Sequence, residues 1–171
     1  MARRIGPNPK RKVARSAARV SAAAQMLIAN WMAKPVITVR ARDSVAHARR
    51  LLEQHRINQL PVMTNRTLVG IVTDRDLRNA SDSMAVSGRA AGAPLNQGDL
   101  IPENIAVETV MSVKVMTLKP QDRVAKAANL MSRERIGGIP VIEGKSLVGI
   151  ITRSDVLKAF ITFAGTHDQH R

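Results

Sequence analysis

The 171-residue chain contains no cysteine and no tyrosine, and its 2% aromatic content is confined to Trp31, Phe160 and Phe163. Without cysteine there can be no disulfide, no thiolate nucleophile and no Cys-based zinc site, and a reducing cytoplasm is the expected compartment. So few aromatic faces argue against recognition of single-stranded nucleic acid by base stacking. Charge interrupts every apolar run well short of the roughly 20 residues that a membrane span needs. No transmembrane segment is expected. No clean apolar stretch follows the N-terminal charges, which argues against a secretory signal. Histidines are few and scattered: His47 and His55 fall near the exposed face of a helix, His167 and His170 in a polar tail, and none has a metal-ligand partner at useful spacing. A Ser/His/Asp set, paired buried carboxylates and a P-loop are also missing. Neither a metal site nor an enzyme is expected.

Acidic residues are missing from one end. The net charge of +14 divides into +10 over residues 1–42, where ten Lys/Arg stand with no Asp or Glu, and +4 over the remainder. The excess belongs to a basic arm, residues 1–27, whose Ala, Arg and Ser content fits a flexible segment. Three readings stay open for it: a solvated arm, a nucleic-acid or other anionic contact made by Coulomb attraction, or an organellar presequence.

What the sequence does contain, at 44% hydrophobic residues, is enough apolar material for a core, and it is written twice. LVGIVTDRDL at 68–77 matches LVGIITRSDV at 147–156, an offset of 79 residues. The same offset lays Met32 on Met111, Val36 on Val115, Asp43 on Asp122, Val45 on Val124, Ile57 on Ile136 and Pro61 on Pro140. A repeat this long in one register fixes the architecture before any local assignment. The expected organisation is one unit at 28–80, a polar, Gly/Pro-containing linker at 81–104, a second unit at 105–161 and a polar tail at 162–171.

Within each unit the periods are legible. VITV at 36–39 and VMTL at 115–118 read as short strands. Val45, Ala48, Leu51 and Leu52 share one helical face, with Ser44 as N-cap, and Val124, Ala127, Ala128 and Met131 repeat the pattern. A hairpin follows in each copy, turning at Asn65-Arg66 and at Glu143-Gly144-Lys145, and a second helix begins at Asp74 or Ser154. The fold class is α/β (α+β): two β-α-β-β-α units packed about a pseudo-twofold axis, each leaving a sheet face that the other must cover. Gly70 and Gly149 read as packing or strand-bend glycines rather than ligand residues. Trp31 reads as the anchor of a short entry helix.

The order of elements, the apolar-Pro-Val strand, the LVGI-x-T-x-x-D motif and the duplication together resemble the CBS domain, and the tandem resembles a CBS pair or Bateman module. ANWMAKPVITV and ETVMSVKVMTL, opening the two copies, are similar to stand-alone bacterial CBS pairs of the acetoin-utilisation AcuB type. The resemblance implies adenosine-containing ligands in clefts between the units. No cofactor is obligatory, and a regulatory adenine nucleotide (AMP, ADP or ATP) or related adenosyl compound is expected. The strand-end hydroxyl and helix N-terminus suit phosphate, and the aspartate one turn later suits ribose hydroxyls.

Carried onto this chain, the first pocket joins Thr73, Arg75 and Asp76 to Val115, Met116, Ile136, Gly137 and Gly138. The second joins Thr152, Ser154 and Asp155 to Val36, Ile37, Ile57, Asn58 and Gln59. Asn58-Gln59 and Gly137-Gly138 stand where nucleotide-sensing relatives often carry a His or Arg; Arg75, Arg153, Arg56 and Arg135 are other sources of positive charge. Against the ligand role stands a simpler one, in which Asp76 and Asp155 only cap their helices. The resemblance further implies a homodimer through the helices, a regulated protein partner and no catalytic domain. A nucleic-acid-associated protein with a structural CBS pair is the alternative function.

Overall fold

Each copy of the repeat supplies a lead-in segment whose apolar residues find their partners in the other copy. The computed structural model describes residues 26–87 and 103–168. Its elements are β1 (Val39–Arg40), α1 (Val45–His55), β2 (Gln59–Thr64), β3 (Thr67–Thr73), α2 (Asp74–Ser87), α3 (Val124–Glu134), β4 (Gly138–Glu143), β5 (Ser146–Thr152) and α4 (Arg153–Asp168). Short 3₁₀ turns at Ile28–Asn30 and Val107–Thr109 open the two copies. The basic arm lies outside the described residues. Helix α2 runs to Ser87, seven residues into the stretch expected as linker, and α4 runs to Asp168, seven residues into the stretch expected as a polar tail. No helix among the described residues is long and apolar enough to cross a membrane.

The first sheet has three strands in the order β1-β2-β3, with β1 parallel and β3 antiparallel to β2. The second has two, β4 antiparallel to β5. The expected strand at 115–118 contributes only an isolated parallel bridge, Leu118 to Val141, the counterpart of Val39 to Val62. The reason is a missing donor. In the first copy the Ala41 N–H donates to the Met63 carbonyl at 3.0 Å and completes the second rung of the ladder. Pro120 occupies the matching position and has no N–H, so the ladder ends after one rung. The paired part of the first strand is likewise Val39–Arg40, not the whole of VITV.

Helices α1 and α3 form for the same reason and start differently. Ser44 caps α1, accepting from the His47 N–H at 3.1 Å, whereas Arg123 precedes α3 with no side-chain cap. Both end in a left-handed arginine, Arg56 and Arg135. The hairpins turn through Asn65 (φ 56°) and Gly144 (φ +61°), residue types that tolerate this region.

The lead-ins are exchanged. The Ile28 and Ala29 N–H groups donate to the carbonyls of Asp122 and Pro120, and Ala33 pairs with Ile150 in both directions. In the other half, Val107 and Glu108 donate to Asp43 and Ala41, and Ser112 pairs with Ile71. Accordingly Ile28 and Met32 lie in the core built on the second sheet, with Trp31 packed against it, while Ile105 and Val107 lie in the core of the first. Buried Ile and Val side chains of this kind stabilise by about 1.5–3 kcal/mol each. Asp122, at the hinge of one exchange, accepts from the Lys119 N–H and from Lys126, and these donors hold its carboxyl below the ordinary value of 3.8.

Glycine makes the crossing possible. A Cβ on Gly70 would stand 2.9 Å from Met111 Cγ and 3.2 Å from the Ser112 carbonyl; a Cβ on Gly149 would stand 2.8 Å from Met32 Cγ. Each methionine lies across a glycine of the opposite copy. Gly70→Ala and Gly149→Ala should each lower the unfolding free energy by about 1–3 kcal/mol in urea titrations. Met32→Ala combined with Gly149→Ala should cost less than the sum of the two, because the shortened side chain vacates the contested space.

Candidate functional site

The ends of β3 and β5 carry the repeated Thr-x-x-Asp. The Asp76 carboxylate Oδ2 accepts from the Thr73 hydroxyl at 2.7 Å and from the Thr73 N–H at 2.9 Å, and the Asp76 N–H returns a longer bond of 3.3 Å to the hydroxyl. Thr152 and Asp155 repeat this at 2.7, 2.9 and 3.4 Å. This is a reciprocal capping box, with an N-cap threonine and an acid one turn in. The simpler role weighed against ligand contact is therefore present in both copies. It occupies one carboxylate oxygen of each aspartate. Oδ1 of Asp155 lies 3.8 Å from Lys158 Nζ, whereas the first copy has Asn79 at the position matching Lys158.

Two backbone bonds tie these helix starts to the hairpins. The Asp74 N–H donates to the Asn58 carbonyl at 3.0 Å and the Arg153 N–H to the Gly137 carbonyl at 3.1 Å. The Arg153 side chain folds back, its Nε donating to the Ile136 carbonyl at 3.1 Å.

A cleft of about 320 Å³ opens between the two copies. From the expected first pocket it gathers Thr73, Val115, Met116, Ile136, Gly137 and Gly138. Arg75 and Asp76 stand outside its lining: Arg75 is exposed, and Asp76 lies a turn behind Thr73, bonded to it. Gln59, expected in the second pocket, also lines the first, because its side chain crosses the pseudo-dyad and lies over Gly138, its own counterpart in the repeat. A Cβ on Gly138 would meet the Gln59 amide, 2.7 Å from its Cδ. Thr73 pairs with Gln59 in one sheet and Gly138 with Thr152 in the other, so one row of residues runs through the dyad from the first capping pair to the second.

Of the second set, Thr152 and Asp155 meet each other, and Ser154 is exposed beside them. Val36 is half-buried, while Ile37 and Ile57 pack against the first core. Asn58 is exposed and contributes its carbonyl to the start of α2.

Ile71, Ser112, Lys114 and Glu134 line the first cleft without having been singled out from the sequence, as does Arg135, named only as a source of charge. Ile71 was findable, since it precedes Thr73 by two and shares its strand face. Ser112 was not: it reaches the cleft through its bridge to Ile71, a partner in the other copy. Among the described residues no group of three or more His, Cys, Asp or Glu could hold a metal ion.

Two α/β units related by a pseudo-dyad, with a cleft lined from both, define a tandem module of the CBS class. The chain belongs to the CBS domain family, whose model matches residues 28–83 and 107–162. A CBS domain-containing protein of Dictyostelium discoideum is 33% identical over 141 residues, covering 80% of this chain and 92% of that protein. Among solved structures, a Vibrio cholerae protein assigned to acetoin utilization (AcuB) superposes with a TM-score of 0.67 at 25% identity, covering 85% of this chain and 97% of its own. The CBS domain pair of protein MJ0100, solved with 5′-methylthioadenosine and S-adenosyl-L-methionine, superposes with a TM-score of 0.64 at 29% identity, covering 80% and 96%.

Each aspartate caps its helix whether or not a ligand is bound, so its loss costs stability by itself. Asp76→Ala and Asp155→Ala should each lower the ligand-free unfolding free energy by about 1–2 kcal/mol, measured by thermal or urea unfolding with no ligand added.

Proposed function

We propose that the chain is a regulatory, non-catalytic module that binds an adenosine-containing ligand between its two CBS units and passes the resulting change in their packing to a partner. The observation that carries this reading is the cleft itself, with one wall from β3 of the first unit and the other from Val115, Met116 and Ile136–Gly138 of the second. A ligand there touches both units, so its binding energy depends on their relative placement. That dependence is what a sensor requires. The adenosyl class is supported by the 29% identical pair of MJ0100, which binds two such compounds. Apolar Ile71, Val115, Met116 and Ile136 suit a purine face, and the Thr73 hydroxyl and backbone amides at Gly137 and Gly138 suit its polar edge and ribose. A cytoplasmic site of action fits the cysteine-free sequence.

Titration of the full chain with AMP, ADP, ATP, S-adenosylmethionine, NAD and cyclic dinucleotides, followed by calorimetry and thermal unfolding, tests the reading. At least one adenosyl compound should raise the midpoint, by mass action equivalent to about 2.7 kcal/mol at a hundredfold excess over Kd. If none does, the cleft is not an adenosyl site.

A homodimer through α4 belongs to the same proposal. Leu157, Phe160 and Ile161, at i, i+3 and i+4 on one helix face, are 59%, 63% and 61% exposed. The corresponding positions of α2 hold Arg78, Ser81 and Asp82, so this apolar triplet is not repeated in the first copy. A second copy covering this face hides it from water. Sedimentation should give a dimer that Phe160→Glu with Ile161→Glu converts to a monomer of unchanged circular dichroism. A monomeric parent chain would remove the α4 interface.

A further inference from the structure

A hollow of about 620 Å³ lies at the end of the first unit remote from the cleft. Gln59 at the start of β2 lines the cleft and Thr64 at its end lines the hollow, about 17 Å apart at the rise of an antiparallel strand. The floor is Ala41 and Met63, and the polar groups are Arg40, Arg42, Thr64, Asn65 and Glu108. Backbone bonds fix this floor. The Ala41 N–H donates to the Met63 carbonyl at 3.0 Å, and the Ala41 carbonyl accepts from the Glu108 N–H at 2.9 Å. Strand β1, strand β2 and the lead-in of the second copy therefore meet at one residue, and they contribute Arg40, Thr64 and Glu108 respectively.

The charged groups here lack counter-ions. Asp43, the acid nearest in sequence to the two arginines, is bonded to the backbone, its Oδ2 accepting from the Arg40 N–H at 2.9 Å. Arg40, Arg42 and Glu108 make no ion pair among the described residues, and all three are exposed. The other copy is built differently at this corner. Arg40, Arg42, Thr64 and Glu108 have Lys119, Gln121, Glu143 and Ala29 as counterparts. Gln121 Nε2 donates to Glu143 Oε1 at 3.4 Å, so the second copy carries its own acceptor. Ala29 makes the backbone bond that Glu108 makes, donating to the Pro120 carbonyl at 2.9 Å. The exchange of lead-ins thus requires no acid at 108 and no arginine at 42.

We propose that this hollow is a second ligand site, for a free acidic amino acid, with Arg40 and Arg42 taking its two carboxylates and Glu108 its ammonium group. Two guanidinium forks and one carboxylate are the charge-by-charge complement of such a ligand. The Thr64 hydroxyl and the Asn65 carboxamide supply further donors for the carboxylate oxygens. A plain dicarboxylate or inorganic phosphate satisfies the arginines but sets an anion against Glu108 with no cation to offset it. The site shares no lining residue with the cleft and does not depend on the adenosyl reading.

Calorimetry of the full chain with glutamate, aspartate, glutarate, succinate and inorganic phosphate provides the test. Glutamate or aspartate should bind at least about tenfold more tightly than phosphate and than the dicarboxylate of its own length, glutarate or succinate, in line with one charge-assisted bond to the ammonium group. This preference is read on the parent chain and needs no substitution. Arg40→Gln and Arg42→Gln should each weaken the amino acid by at least about tenfold, with the unfolding midpoint unchanged because exposed side chains are replaced. Glu108→Gln should abolish the preference for the amino acid over the dicarboxylate. Adenosyl binding should be unaltered in all three variants. Absence of binding by both amino acids, a parent chain that takes glutarate, succinate or phosphate as tightly, or arginine variants that bind as the parent does would each overturn the assignment and leave the cleft as it stands.

Discussion

The whole arrangement depends on the crossing of the two lead-in segments. Met32 lies on Gly149 and Met111 on Gly70, and beside each contact a two-way backbone bridge, Ala33 to Ile150 or Ser112 to Ile71, stitches one copy to the other. Neither core is then made from one copy of the repeat alone. Ile28 and Met32 complete the second core, Ile105 and Val107 the first. Removing one copy removes part of the other's interior, so the two fold as one object. The crossing also delivers the cleft. Ser112 is held against Ile71, and the chain leaving it runs through Lys114, Val115 and Met116, which form one side of the opening. A wall bonded to the far unit reports any change in that unit's position.

Duplication sets the frame and substitution breaks it in specific places. Pro120 for Ala41 shortens one ladder, because a parallel rung needs the N–H that proline lacks. Arg123 for Ser44 leaves one helix without a side-chain cap. At the dyad the two copies cannot both place a side chain in the same space: Gln59 takes it and Gly138 yields it. The outer helices diverge most, with Leu157, Phe160 and Ile161 on α4 where α2 has Arg78, Ser81 and Asp82. None of these changes disturbs the exchanged lead-ins. They alter strand length, cleft lining and outer surface, which are the places where a repeat can acquire two distinct halves.

Much of this was legible in the sequence, and what was not has a common cause. The 79-residue offset, the β-α-β-β-α order, the Ser44 cap and the packing role of Gly70 and Gly149 follow from local patterns and from matching one copy against the other. Period and propensity describe a residue's neighbours along the chain. They do not say which copy a segment leaves to join, so the exchange, and with it Ser112 in the cleft, was invisible. The place of Gln59 in the first cleft is hidden for the same reason: its position in β2 is local, but its side chain crosses to the other unit. The expected strand at 115–118 failed differently. Pro120 was in plain view, but its effect depends on which carbonyl it would have faced, and that is a matter of register.

The capping boxes change what the repeated Thr-x-x-Asp can be used to argue. Thr73 with Asp76 and Thr152 with Asp155 satisfy each other and the first turn of their helices in both copies, with nearly identical distances. A motif that a helix start already requires would recur in a duplicated fold whether or not anything bound beside it. Its recurrence is therefore poor evidence for a ligand. Residues with no such structural duty are better evidence. Lys114 caps nothing, pairs with nothing among the described residues and has a proline for a counterpart; Gln59 reaches across a dyad where glycine suffices on the other side. Chemistry specific to this chain is to be sought where the two copies disagree, because agreement between them is already explained by the fold.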